Sequence, residues 1–237
     1  MKSFHKPFIA SLALIFVFSN LLFGWSFHTH RKIASDALNR MPIFFQKRFL
    51  PLKDIILKGA TDPDTLLKDF QNHIFNFHSK RKEQDSVAFF RDSFDCLVNL
   101  IKRRAPDTEI ARRLGLFSHY ISDINQPLHT EGKEVDLAED VYHAKFEKEV
   151  EGNLSKIKVA HFPYAPVSKP VERLIEMATA ANKRYAEIGK AYTSGNRIFD
   201  LMPLVTEQYN AAVKNVVDYW LGAFKEAGVQ ELSLIHI

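Results

Sequence analysis

His119-Tyr-Ile-Ser-Asp123-Ile-Asn-Gln-Pro127-Leu-His129, followed by His143-Ala-Lys-Phe-Glu147, decides how the chain is read. His119 and Asp123 are four residues apart, so they share one face of a helix. His143 and Glu147 repeat that spacing on a second helix. Pro127 ends the first helix at about that point, which leaves His129 on a loop. A lone His-x-x-x-Asp pair is ordinarily a surface pair or a capped core histidine. Two such pairs with a histidine between them are harder to explain that way, because burying so many ionisable groups without a metal is costly. Imidazole and carboxylate together suit a divalent ion of borderline softness, and zinc fits best.

Outward from this stretch the pattern is helical almost throughout. His30 to Arg40 reads as a short helix ending near Pro42. Ile43 to Lys58 is apolar at helical spacing and is interrupted by Pro51. Gly59 to Asp64 is a turn-rich loop. Val87, Phe90, Phe94, Leu97, Val98 and Ile101 form a helical stripe within Ser86 to Arg104. Asp107 can cap the next helix, which runs to about Ile124. Glu139 to Gly152 carries the second pair, and the proline-bearing stretch Asn153 to Pro170 is a loop. Val171 to Thr193 and Met202 to Ala227 are long helices. No convincing β alternation is present. The expected fold is all-α: a single-domain helical bundle with a multinuclear zinc site between helices.

The chain has 237 residues, enough for one well-buried domain. Its formal charge is +4, and removal of Lys2 and Lys6 leaves about +2, too little to argue for a nucleic-acid partner. Cys96 is the only cysteine, so no intramolecular disulfide can form and metal ions would supply any cross-linking. Lys2 and Lys6 precede an apolar run from Phe8 to Phe23 that ends at Gly24. Residues 1–24 are therefore read as a secretory signal peptide, with an uncleaved anchor as the alternative. Residues 25–231 form the helical domain, secreted or periplasmic after cleavage. Residues 232–237, Leu-Ser-Leu-Ile-His-Ile, break the preceding pattern and read as a non-native tail.

These residues resemble the bacterial zinc-dependent phospholipases C, which share a fold with single-strand-specific zinc nucleases. The resemblance rests on the His-Tyr-x-x-Asp-Ile-Asn-Gln-Pro-x-His run and on the spacing to His-x-Lys-Phe-Glu. It implies three zinc ions. One would be held by His129, His143 and Glu147. A second would be held by His119 and Asp123 with an upstream histidine and aspartate. Asp123 would bridge to a third, bound by the amine and carbonyl of a freed Trp25 and by His30, with His28 as a possible swap. Among the upstream groups Asp64 matches best, with Asp62 in reserve, and His73 matches with His78 as competitor.

The resemblance also implies phosphodiester hydrolysis by a phospholipase C, releasing diacylglycerol and a phosphorylated head-group at a membrane or micelle surface. Asp64 would be the general base or water-orienting carboxylate. Glu147 favours the lipase over the nuclease, where aspartate is commoner at that position. A metal-binding protein without turnover is a third reading. Phe70 resembles one aromatic wall of a head-group site, but Thr65 and His28 stand where a choline cage would be completed. A monomer is expected, with no stable nucleic-acid partner.

Overall fold

The computed structural model describes residues 25–69, 71–131, 139–195 and 198–229. The expectations for residues 1–24, for the tail 232–237 and for Phe70 fall outside these residues. The described residues contain nine α-helices and no strand. They are α1 (Phe27–Arg40), α2 (Ile43–Phe49), α3 (Lys53–Gly59), α4 (Lys80–Lys102), α5 (Asp107–Ile124), α6 (Glu139–Gly152), α7 (Pro170–Asn182), α8 (Tyr185–Thr193) and α9 (Ile198–Glu226). No described helix is long and apolar enough to cross a membrane.

Local chemistry explains most boundaries. Ser26 caps α1 by accepting from the Thr29 amide at 3.4 Å. Pro51 sits in a 3-10 turn, Leu50–Leu52, that separates α2 from α3. Ser79 caps α4, which starts six residues before the expected start at Ser86. Asp107 is the first residue of α5 rather than its cap: Pro106 holds that position, and Asp107 accepts instead from Arg48 Nη2 at 2.6 Å. Beyond α3 the chain is not a plain loop, since Pro63–Leu67 forms a wide π-helical turn that closes on Lys68 in left-handed conformation.

α5 and α9 lie in the centre of the bundle. Trp220 of α9 donates its indole N–H to the Leu114 carbonyl of α5 at 3.1 Å. Phe45, Phe49, Trp220 and Phe224 pack as one aromatic group, and Phe90, Phe94, Phe117 and Tyr219 as another. Each such burial contributes roughly 1.5–3 kcal/mol. The abundance of phenylalanine is thus largely a property of the core; among described phenylalanines only Phe27 and Phe199 are exposed.

Two glycines set the distance between α3 and α5. A Cβ on Gly115 would overlap the Ile56 carbonyl, and one on Gly59 would overlap the Arg112 carbonyl. Only hydrogen fits at both points, so the helix backbones touch directly. The extended segment 157–169 crosses α9. It is pinned where Asp218 accepts from the Val167 and Ala165 amides, through its carbonyl at 3.0 Å and its carboxylate at 2.9 Å.

Candidate metal centre

α5 supplies the axis of the site. His119 and Asp123 are wholly buried on one of its faces. Because α3 approaches so closely, the carbonyl of Ala60 reaches His119 and accepts from its Nδ1 at 2.9 Å. That bond keeps Nε2 of His119 unprotonated, and its lone pair faces His73 Nδ1 at 3.2 Å, a contact that a cation can replace. The π-helical turn after α3 then delivers Asp64, 3% exposed, with Oδ1 3.7 Å from His119 Nε2.

α1 brings His30 from the other side, stacked on His119 with ring centroids 3.8 Å apart. Its Nε2 is 3.3 Å from Asp123 Oδ1. His73 arrives on the segment before α4, with Nδ1 2.9 Å from Asp123 Oδ2 and 3.7 Å from Asp64 Oδ1. The 3-10 turn Pro127–His129 ends in His129. This turn and the His73 segment hold each other through their backbones. Phe75 donates its amide to the His129 carbonyl at 2.7 Å, and His129 Nδ1 donates to the His73 carbonyl at 2.9 Å. α6 contributes His143 and Glu147, whose Nε2 and Oε1 are 2.8 Å apart, and His129 Nε2 is 3.6 Å from the same Oε1.

Three buried triads result: His30, His119 and Asp123; Asp64, His73 and His119; His129, His143 and Glu147. Within each, one nitrogen or oxygen per residue lies within 4.8 Å of the others. Both ring nitrogens of His30, both carboxylate oxygens of Asp64 and of Asp123, and Nε2 of His73 and of His129 are buried without a hydrogen bond. Short as some of these approaches are, they lack hydrogen-bond geometry. Orphaned buried acceptors of this kind are costly alone and are what a bound cation satisfies. The residues therefore fit metal ions, and the two triads that meet at His119 share its one unprotonated nitrogen.

The charges respond to this crowding. Burial, then the neighbouring His119, pushes the His30 imidazole down to about 3. Burial pushes Asp64 above the usual carboxylate range, with His119 pulling the other way. Burial alone would raise Asp123, but His119 and His30 outweigh it and hold Asp123 well below the ordinary value. For His73, burial is overcome by the hydrogen-bonding proximity and charge of Asp123, and the net direction is upward. His143 is likewise raised to about 9, where Glu147 and Glu139 overcome burial.

The other candidates lie elsewhere. His78 is half-exposed and pairs with Glu131. Asp62 accepts from Arg112 Nε at 2.8 Å and belongs to no triad. His28 is 75% exposed and faces Glu151 at 3.6 Å. Trp25 is fully buried and donates its indole N–H to the Ser122 carbonyl at 2.9 Å, one residue before Asp123. Three supporting residues escaped the sequence reading. Gln126 donates to Glu147 Oε1 at 3.2 Å and accepts from the Leu128 amide at 2.5 Å. Glu139 accepts from His143 Nδ1, and Tyr185 in turn donates to Glu139. Glu139 was legible as a third member of a Glu-x-x-x-His-x-x-x-Glu face; Tyr185, 46 residues later, carried no signal.

A family model described as zinc dependent phospholipase C matches residues 29–216, which hold every triad. The chain belongs to the zinc-dependent phospholipase C family. Among solved structures it is similar in fold to the alpha toxin of Clostridium absonum, at 16% identity and a TM-score of 0.59. That likeness covers 89% of this chain and 65% of the toxin. It is similar also to the alpha-toxin of a Clostridium perfringens avian strain, at 15% identity, a TM-score of 0.54, and 89% and 64% coverage. The chain thus spans a little under two thirds of either toxin's length. No curated protein sequence matches it.

Proposed function

We propose that this member of the phospholipase C family is a secreted or periplasmic zinc enzyme that hydrolyses phospholipids to diacylglycerol and a phosphorylated head-group. The observation that carries the reading is the set of three buried triads, in which His30, Asp64, His73, Asp123 and His129 carry side-chain nitrogens or oxygens left without hydrogen-bond partners. Zinc, with its taste for imidazole and carboxylate, suits each set better than magnesium or calcium, which prefer oxygen. His129, His143 and Glu147 would hold one ion. Asp64, His73 and His119 with Asp123 would hold the second. His30 and Asp123 with the amine and carbonyl of Trp25 would hold the third, once removal of residues 1–24 frees that amine. An extra residue placed ahead of Trp25 should lower zinc content by one ion; unchanged content excludes the amine as ligand.

Bound zinc supplies Lewis acidity, neutralising phosphate charge and lowering the pKa of water. The protein's own residues do the rest. Asp64 is a carboxylate raised by burial, which suits it to orient water and accept its proton. Asp123, held ionised, keeps negative charge between two triads. The Ala60 and His73 carbonyls fix the tautomers of His119 and His129, so neither ring has to turn during the reaction. The substrate is argued from family membership, and the domain is proposed to act alone as a monomer at a lipid surface.

The test is hydrolysis of phosphatidylcholine vesicles and of single-stranded DNA, side by side, with the zinc-loaded mature protein. Zinc-dependent release of diacylglycerol, with DNA left intact, is the expected result. Faster cleavage of DNA would move the chain to the nuclease branch of the fold. Zinc retained with neither reaction would make it a binding protein.

A further inference from the structure

Behind His143 lies a buried line of side chains that belongs to none of the triads. Tyr185 of α8 donates its hydroxyl to Glu139 Oε2 at 2.5 Å. Glu139 Oε1 accepts from His143 Nδ1 at 2.8 Å. Glu139 is 3% exposed, Tyr185 8% and His143 1%, so water screens this line little. His119 and His129 offer their Nδ1 protons to backbone carbonyls, whereas His143 offers its proton to a carboxylate. An ionised acceptor makes the stronger hydrogen bond and the more basic imidazole.

We propose that Glu139 and Tyr185 are positioning residues for the ion held by His129, His143 and Glu147, a proposal that rests on the metal-centre reading above. Glu139 can only accept, so it keeps the proton on Nδ1 of His143 and presents Nε2 toward Glu147 and the ion. Tyr185 holds the Glu139 carboxylate in place by occupying its second oxygen. The geometry follows from spacing: Glu139, His143 and Glu147 fall on one face of α6, with the imidazole between the two acids. α8 packs against that helix and carries the tyrosine.

A second tyrosine makes a built-in control. Tyr192 of α8 donates to Glu149 Oε2 of α6 at 2.5 Å, so it ties the same two helices without touching a triad. If the tyrosine–glutamate pairs merely staple α6 to α8, the two should be equivalent.

Zinc affinity of the mature protein, measured by competition with a chromophoric chelator, separates the alternatives. Glu139→Gln should weaken one of the bound ions by about 10–100-fold and leave the others unchanged. Tyr185→Phe should weaken the same ion by less, and Tyr192→Phe should leave all of them at wild-type affinity. Circular dichroism of each zinc-loaded variant checks the helix content. Wild-type affinity in both Glu139→Gln and Tyr185→Phe overturns the proposal, as does an equal loss in Tyr185→Phe and Tyr192→Phe. Failure of the unmutated protein to bind zinc overturns the metal-centre reading itself, and the proposal with it.

Discussion

His129 joins two parts of the centre: Nε2 lies 3.6 Å from Glu147, while Nδ1 donates to the His73 carbonyl at 2.9 Å. His129→Ala should therefore abolish hydrolysis and lower zinc content together, as read by metal analysis beside a lipid-release assay. Full activity in that variant would remove His129 from the centre. His30 carries a different prediction. Its folded value of about 3 lies below the ordinary 6.5, so the unfolded chain takes up a proton that the folded, metal-free protein refuses. The stability tied to neutral His30 is present above pH 6.5 and lost as pH falls toward 3. Thermal unfolding of metal-free wild type and His30→Gln between pH 4 and 7 should show a shallower pH slope in the variant; parallel slopes contradict it.

At the scale of elements, the contact between α3 and α5 governs whether the site assembles. Gly115→Ala drives a methyl group into the Ile56 carbonyl, and both partners are backbone, so neither can swing aside. A loss of ~1–3 kcal/mol or more in chemical denaturation is expected, as for other overpacked interiors. Because Ala60 and Asp64 follow α3, zinc content should fall as well; a variant with unchanged stability and zinc would show that the helices can part freely. Not every element was readable. α4 begins at Lys80 on a run of good helix formers with no apolar stripe, so only the Ser79 cap marked its start. The expected long helix from Val171 to Thr193 is two, α7 and α8, broken where the Arg184 amide turns to the Ala181 carbonyl at 2.9 Å. Nothing at Lys183 and Arg184 forbids a helix; Arg184 bonds to Glu207 of α9 as well as Glu187, which belongs to packing rather than local preference. α9 runs through Pro203, whose missing N–H lies near the helix start, where few backbone bonds are lost.

For the molecule as a whole, the triads tie together α1, α5, α6 and two intervening segments in a chain whose single cysteine can form no internal cross-link. Metal binding should then count directly as folding energy. Removing zinc with a chelator should lower the thermal midpoint by roughly 5–10 °C per tightly held ion, and added zinc should restore it. A midpoint indifferent to chelation would mean that the hydrophobic core alone, with Trp25, Phe117 and Trp220 wholly buried, carries the bundle.

Read alone, the chain determined its helical class and the ligand-bearing faces of α5 and α6, because four-residue spacing on a helix is a local property that survives any packing. It preferred Asp64 to Asp62 and His73 to His78 only through the family resemblance, and kept Asp62 and His78 as alternatives. Tertiary structure separated them: Asp64 and His73 enter the triads, while Asp62 meets Arg112 and His78 meets Glu131. That outcome depends on how closely α3 can approach α5 and on backbone bonds between distant segments. Tyr185 reached Glu139 for the same reason, through the packing of α8 on α6. Convergence is a fact about distances between helices, and no periodicity within one helix encodes it.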